Sequence, residues 1–281
     1  MFLLWLRIIR PQTLFASLCP VVVALLTMTE PVASWAVAIT TIVCALALQI
    51  LSNLINDYYD FKRGTDQKGR AGFKRALAEG EVTEKQMRGA CLITLGICLL
   101  CGSYLIWAGG WVILCIGITA ILFAWLYTAT SHSLSYLGIA DIFVFLYYGV
   151  IASSGTYYLQ TGQFSWPVFY AGGVCGLISM CVLLINNLRD MESDRLVGKR
   201  TLPVRFGRKA GLGLMLLVVV LMPVLAYLAF QNLLPTLVFL PALFLWRAVS
   251  KAQGATYNKC LMCAGLINVV FTLMVSIIKG F

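Results

Sequence analysis

Two groups of carboxylates and amides stand out in a chain that otherwise carries little charge. Asn53, Asn56, Asp57 and Asp60 lie close together with Asp66 just beyond, and Asn186, Asn187, Arg189, Asp190, Glu192 and Asp194 form a second group. The first four sit at i, i+3, i+4 and i+7, which puts them on one face of a helix. Asp190 and Asp194 are four apart, with Asn187 on the same stripe. Converging carboxylates repel unless a cation lies among them. Hard oxygen donors with no His or Cys beside them select Mg2+ or Ca2+ over zinc or copper. Mg2+ takes one or two carboxylates per ion and fills its other positions with water and substrate phosphate. The two groups therefore read as halves of a metal bridge to a phosphorylated ligand. Lys62, Arg63, Lys68, Arg70, Lys74 and Arg75 follow the first group, and Arg189, Arg195, Lys199 and Arg200 accompany the second. Guanidinium forks and ammonium groups clamp phosphate oxygens. A purely structural network of ion pairs is the competing reading of the same residues.

The elements that position these groups are membrane helices. The chain has 281 residues, of which 60% are hydrophobic and 11% charged, against roughly 25% charged in soluble domains. Its mean hydropathy is +0.89. Apolar stretches near the ~20 residues that span a bilayer recur at 12–28, 34–54, 89–107, 110–128, 136–155, 166–186, 210–229, 232–248 and 260–279. They predict an all-α integral membrane protein of about nine transmembrane helices around a central cavity open to the cytoplasmic side. Residues 1–281 form a single polytopic domain in this reading, with functional loops at about 57–88 and 187–209. No separate signal peptide is expected, because no small-residue cleavage pattern follows the first apolar run.

Charge placement orients this map. With the N-terminus inside, all of the 21 Lys and Arg except Lys279 fall on the inner side, as the positive-inside rule requires. Both acidic groups are then cytoplasmic, and the expected location is the cytoplasmic (inner) membrane. A formal charge of +10 would otherwise suggest nucleic acid. Here the cations are juxtamembrane, so the expected partner is the lipid bilayer and no nucleic acid. Cys98/Cys101 and Cys260/Cys263 have CxxC spacing but no second pair or His nearby, and read as small buried apolar residues.

With these residues in view, the chain resembles the UbiA-type intramembrane prenyltransferases over nearly its whole length. Arg10-Pro-Gln-Thr-Leu14 opens the resemblance, and the run from Asn53 through Asp60 to Gly64 and Asp66 continues it. It resumes at Tyr136-Leu-Gly-Ile-Ala-Asp141 and peaks from Asn186 through Asp194 to Leu202. The general family pattern places an Asp four residues after the second aspartate of its first motif. Gly64 stands there, and the acid moves to Asp66. That shift is similar to the branch acting on 1,4-dihydroxy-2-naphthoate in menaquinone biosynthesis. Two segments depart from the family. Arg75-Ala-Leu-Ala-Glu-Gly80 lacks a proline, and residues 127–134, with the sole histidine His132, lack the prolines expected there.

The resemblance implies a Mg2+-dependent aromatic polyprenyltransferase. Asp57, Asp60, Asp190 and Asp194 would hold Mg2+ on a polyprenyl diphosphate, and Asn53, Asn56 and Asn187 would orient them or act as neutral ligands. Asp66, Arg75, Lys199 and Arg200 are the candidates for clamping the diphosphate or closing a loop over it. Tyr127, with Tyr58, Tyr59, Tyr147 and Tyr148, offers π faces to a developing allylic cation, although aromatics also gather at membrane interfaces for packing alone. Asp141 is the candidate for an acceptor contact or a base. The implied reaction joins the prenyl group to the aromatic acceptor with loss of CO2, giving a demethylmenaquinone. Two alternatives stay open. One is a relative acting on 4-hydroxybenzoate, haem or a glycerol phosphate lipid. The other is a transporter for cations or anionic lipids, although transporters place their acids nearer mid-span on broken helices.

Overall fold

Inside lipid the backbone must satisfy its own hydrogen bonds, so long uncharged apolar runs fold as helices. The computed structural model describes residues 2–64, 74–126 and 138–280, and these are helical, with no strand among them. α1 (Phe2–Ile9) meets α2 (Pro11–Thr27) at a 54° bend. Pro11 opens α2 at the one position where a missing N–H is harmless. α3 (Trp35–Lys62) starts at Ser34, whose Oγ accepts from the Val37 amide at 3.3 Å. It runs past the expected end at 54 to Lys62, so the first acidic group occupies its last two turns.

α4 (Glu84–Leu126) has 43 residues. At ~1.5 Å per residue that is about twice the ~30 Å hydrocarbon core. Gly110, at φ 66° and ψ −153°, breaks it between the expected stretches 89–107 and 110–128. α5 (Ala140–Thr161) contains a π-helical turn at Leu146–Val150. α6 (Trp166–Arg189) is capped by Ser165, carries Asn186, Asn187 and Arg189 in its last turn and ends at Asp190 as its C-cap. The short α7 (Met191–Leu196) leads to α8 (Leu202–Phe230), broken at Gly207. A 3-10 turn (Pro235–Val238), α9 (Phe239–Lys251) and α10 (Thr256–Lys279) follow.

The chain is an integral membrane protein. Among the described residues α3, α4, α5, α6, α8 and α10 are long and apolar enough to cross a membrane, and the bent α1–α2 pair makes a seventh. The main core lies between α6, α8, α9 and α10, with Val23 of α2. Arg208 ties this half together. Its Nη2 donates to the Val249, Ser250 and Ala252 carbonyls at 3.0–3.2 Å, capping the C-terminus of α9. α4 lies on the other side against α3, with Trp107 and Trp111 turned outward. Between the two sides α2 to α6 leave a cavity of about 390 Å3.

Candidate active site

The mouth of the cavity is built at the bend between α1 and α2. Arg10 has a left-handed backbone, φ 58° and ψ 71°, which an L-residue adopts only where its surroundings hold it. Thr13 supplies part of that hold, donating from both its amide and its Oγ1 to the Arg10 carbonyl at 2.9 Å. α3 supplies the rest. Asn53 Nδ2 donates to the Ile9 carbonyl at 2.9 Å and to Thr13 Oγ1 at 3.0 Å. Gln49 Nε2 donates to Thr13 Oγ1 and to Asn53 Oδ1, both at 3.2 Å. Asn53 is thus committed to fixing the bend, and the bend throws the Arg10 side chain over the end of α3.

Arg10 Nη2 donates to Asp57 Oδ1 and lies 3.5 Å from Asn56 Oδ1. Arg75 Nη1 reaches the same Asp57 oxygen at 3.0 Å. Both arginines line the cavity, whereas Asp57, 3% exposed, does not. Asp60, three residues on, does line it. Its Oδ1 is buried with no hydrogen-bond partner and lies 3.6 Å from Lys199 Nζ.

Lys199 is delivered by the turn that ends α7. The Gly198 amide bonds the Arg195 carbonyl at 3.2 Å and the Lys199 amide bonds the Asp194 carbonyl at 2.9 Å, with Gly198 at φ 77°. This is a Schellman turn, which needs the left-handed residue that glycine provides. It folds the chain back so that Lys199 Nζ also lies 3.6 Å from Asp194 Oδ1. Before the turn, Arg189 donates to both oxygens of Asp190 at 2.8 and 2.7 Å and to Asn258 Oδ1 of α10 at 2.9 Å.

The structure therefore brings Asn53, Asn56, Asp60, Arg75, Asn187, Asp190, Asp194 and Lys199 into the lining of one cavity. Arg200 is exposed and outside the lining, and Asp141 is buried on α5 but also outside it. Asp66 and Tyr127, like His132, lie outside the described residues. Arg10, Thr13 and Gln49 are lining residues that the sequence reading passed over. Arg10 and Thr13 belong to the Arg10-Pro-Gln-Thr13 run, with a cation directly before a helix-opening proline, and Gln49 stands one helical turn before Asn53.

Beyond the charged mouth the cavity becomes apolar, with Leu48, Leu105, Ile113, Ile116, Phe123 and Leu159 along it. The π turn arranges this wall. Phe143, Tyr147, Ile151, Gly155 and Leu159 all line the cavity at strict four-residue spacing. On a regular α-helix each step of four would rotate the face by about 40°. The wider π turn at Leu146–Val150 takes up most of that drift and keeps these residues, with Tyr148, facing inward.

The donor set fits a hard cation. Asp60 and Asp194 face each other across one ammonium, and a buried carboxylate oxygen waits without a hydrogen bond. No three His, Cys, Asp or Glu side chains among the described residues cluster closely enough to hold a metal alone. An ion held there would complete its shell with water and phosphate. A mouth of acids and cations above an apolar channel suits an amphiphile with an anionic head.

Comparison with known proteins gives the chain a family. Residues 17–270 match the model of the UbiA prenyltransferase family. The 1,4-dihydroxy-2-naphthoate octaprenyltransferase of Escherichia coli (strain K12) is 35% identical, over 72% of this chain and 68% of that protein. The enzyme of the same description from Mycobacterium leprae (strain TN) is also 35% identical, over 73% and 70%. A UbiA homolog from Archaeoglobus fulgidus, solved bound to GPP and Mg2+, shares the fold at a TM-score of 0.71, with 18% identity over 99% of both chains. The chain belongs to the UbiA prenyltransferase family.

Proposed function

We propose that the protein transfers a polyprenyl group from an allylic diphosphate to the ring of 1,4-dihydroxy-2-naphthoate. The C–O bond to the diphosphate breaks and its electron pair leaves with the diphosphate. A ring carbon bonds C1 of the prenyl chain, the ring carboxylate departs as CO2, and the product is the quinol of a demethylmenaquinone. The observation that carries this reading is the single cavity that joins an acid–cation mouth to an apolar channel, in a chain 35% identical to naphthoate octaprenyltransferases.

Asp60 and Asp194 are the residues that would hold Mg2+, with Asp57 and Asp190 one turn before each of them. A bound Mg2+ supplies Lewis-acid stabilisation of charge on the leaving diphosphate. Arg10, Arg75 and Lys199 bind the diphosphate oxygens, and Asn56 and Asn187 orient the head group. Arg189, anchored on Asn258, keeps Asp190 in place. Tyr147 and Tyr148 flank the path of the allylic carbon, and the apolar channel excludes water from it and takes the tail. Counting α9, the bent α1–α2 pair and each side of the Gly110 break as crossings makes nine spans. All Lys and Arg but Lys279 then belong to segments assigned to the cytoplasmic side, as the positive-inside rule favours, in the cytoplasmic membrane.

The test is a membrane assay with radiolabelled prenyl diphosphate, Mg2+ and either 1,4-dihydroxy-2-naphthoate or 4-hydroxybenzoate. A lipophilic product with the naphthoate alone, lost with EDTA and in Asp60→Ala, is the expected result. Product only with hydroxybenzoate overturns the acceptor. No product with either, from folded protein, overturns the enzymatic reading in favour of transport.

A further inference from the structure

The acids at the mouth are neutralised by cations of the same chain. Arg10 and Arg75 share Asp57 Oδ1, the latter at 3.0 Å. Lys199 Nζ bridges Asp60 and Asp194 at 3.6 Å from each. The side chains of these carboxylates are 3–9% exposed and those of the cations 12–17%. Unpaired charge in such surroundings is strongly unfavourable, and the site pairs its own opposite charges. Yet these cations are the groups that a diphosphate needs, and these acids are the groups that a metal needs.

We infer that Arg10, Arg75 and Lys199 exchange partners on substrate binding, leaving Asp57, Asp60 and Asp194 for the diphosphate oxygens and so opening the carboxylates to Mg2+. The inference rests on the prenyl-transfer reading above. Arg189 takes no part, because Asn258 anchors it and Asp190 holds it through two oxygens. Metal arriving alone must displace these cations from the carboxylates. Diphosphate arriving alone draws the cations away and strands the carboxylates. Each ligand supplies the partner that the other leaves unpaired, so the two bind with positive and reciprocal coupling. Lys199 is the pivot, since it spans both acidic groups.

The experiment uses the purified full chain in detergent, with Mn2+ as the spectroscopically visible metal and inorganic pyrophosphate as the second ligand. Bound Mn2+ is read by electron paramagnetic resonance at matched free Mn2+, which corrects for chelation in solution. Saturating pyrophosphate is expected to tighten Mn2+ binding by about tenfold, an ordinary coupling. Lys199→Gln is expected to bind Mn2+ alone several-fold more tightly than the parent and to lose most of the coupling. If Lys199→Gln is not monodisperse, Arg75→Gln tests the same sign through Asp57. Equal Mn2+ affinity with and without pyrophosphate in the parent overturns the exchange, as does unchanged or weaker Mn2+ binding in a folded variant. Prenyl transfer by a parent that shows no coupling sinks the exchange alone. A parent that binds neither ligand and transfers no prenyl group sinks the functional reading with it.

Discussion

α4 and α6 both line the cavity and are almost equally apolar, with mean hydropathies of 2.2 and 2.3 over their most apolar stretches. Only 11% of that stretch of α4 is buried in the protein, against 78% for α6. Glycine content does not separate them, because both helices are rich in it. What the glycines face does. A Cβ on Gly176 of α6 would lie 2.4 Å from the Phe145 carbonyl, and one on Gly149 of α5 would lie 2.5 Å from the Gly172 carbonyl. On α4 a Cβ at Gly96, Gly102 or Gly117 would meet nothing within 4 Å. Small residues on α6 let backbones touch, the usual basis of helix association in lipid. The cavity thus has one wall set in protein, which ends in the second acidic group, and one wall with little protein behind it.

The strongest test applies where the two sides meet. Asp60→Ala from α3 and Asp194→Ala from α7 are each expected to lower the rate of prenyl transfer by at least about 100-fold, the scale for removing one transition-state electrostatic group. Both proteins should remain monodisperse in detergent. If either retains activity within about tenfold of the parent, the mouth is not the joint between the walls that its geometry implies.

On the packed wall, Gly176→Ala is expected to destabilise by roughly 1–3 kcal/mol, because overpacking here presses on a backbone carbonyl that cannot swing aside. Thermal unfolding in detergent reads this directly. The same change should lower the rate of prenyl transfer, since Phe145 precedes the π turn that presents Tyr147 and Tyr148. An unchanged melting temperature would mean that α5 and α6 are not locked together.

The first acidic group was legible because helical spacing alone predicts that Asn53, Asn56, Asp57 and Asp60 share a face, and they do lie together at the end of α3. The different environments of Asp57 and Asp60 were not legible. They depend on Arg10, whose left-handed backbone is held by local bonds from Thr13 together with tertiary bonds from Asn53 and Gln49 of α3. Asp141 read as a site residue because it is an acid in an apolar stretch, yet rotation of α5 takes it out of the lining. The π turn left no mark in the hydropathy pattern, and it packs where Gly149 meets the Gly172 carbonyl and Gly176 meets the Phe145 carbonyl. Hydropathy found α4 and α6 alike and had no means of telling protein from lipid on their outer faces.

The wall formed by α4 should govern which tails fit. Ile113 is 6% exposed and lines the apolar channel. Ile113→Trp is expected to raise KM for a long prenyl diphosphate by about tenfold, near 1.4 kcal/mol, with kcat nearly unchanged. A short prenyl diphosphate, whose tail stops nearer the mouth, should lose much less. Steady-state kinetics with the two lengths compares them, and equal losses would place Ile113 beside the head group rather than the tail.

The smallest expected effect has the opposite sign to that of Gly176→Ala and bears most directly on the difference between the walls. Gly96 lies mid-helix on the α4 segment before the break, outside the cavity lining, and a Cβ there has open space within 4 Å. Its backbone is not in the positive-φ region that glycine favours. Gly96→Ala therefore keeps every contact and removes only the entropic disadvantage of glycine within a helix, up to about 1 kcal/mol. The variant should melt slightly higher than the parent and transfer prenyl groups at the parental rate. The same methyl group thus stabilises one wall and destabilises the other. Hydropathy cannot produce that inversion, because the two helices do not differ in it. A fall in melting temperature at Gly96 would show that α4 is covered by another helix, such as that of a second copy of the chain, and the contrast between the walls would then belong to the monomer alone.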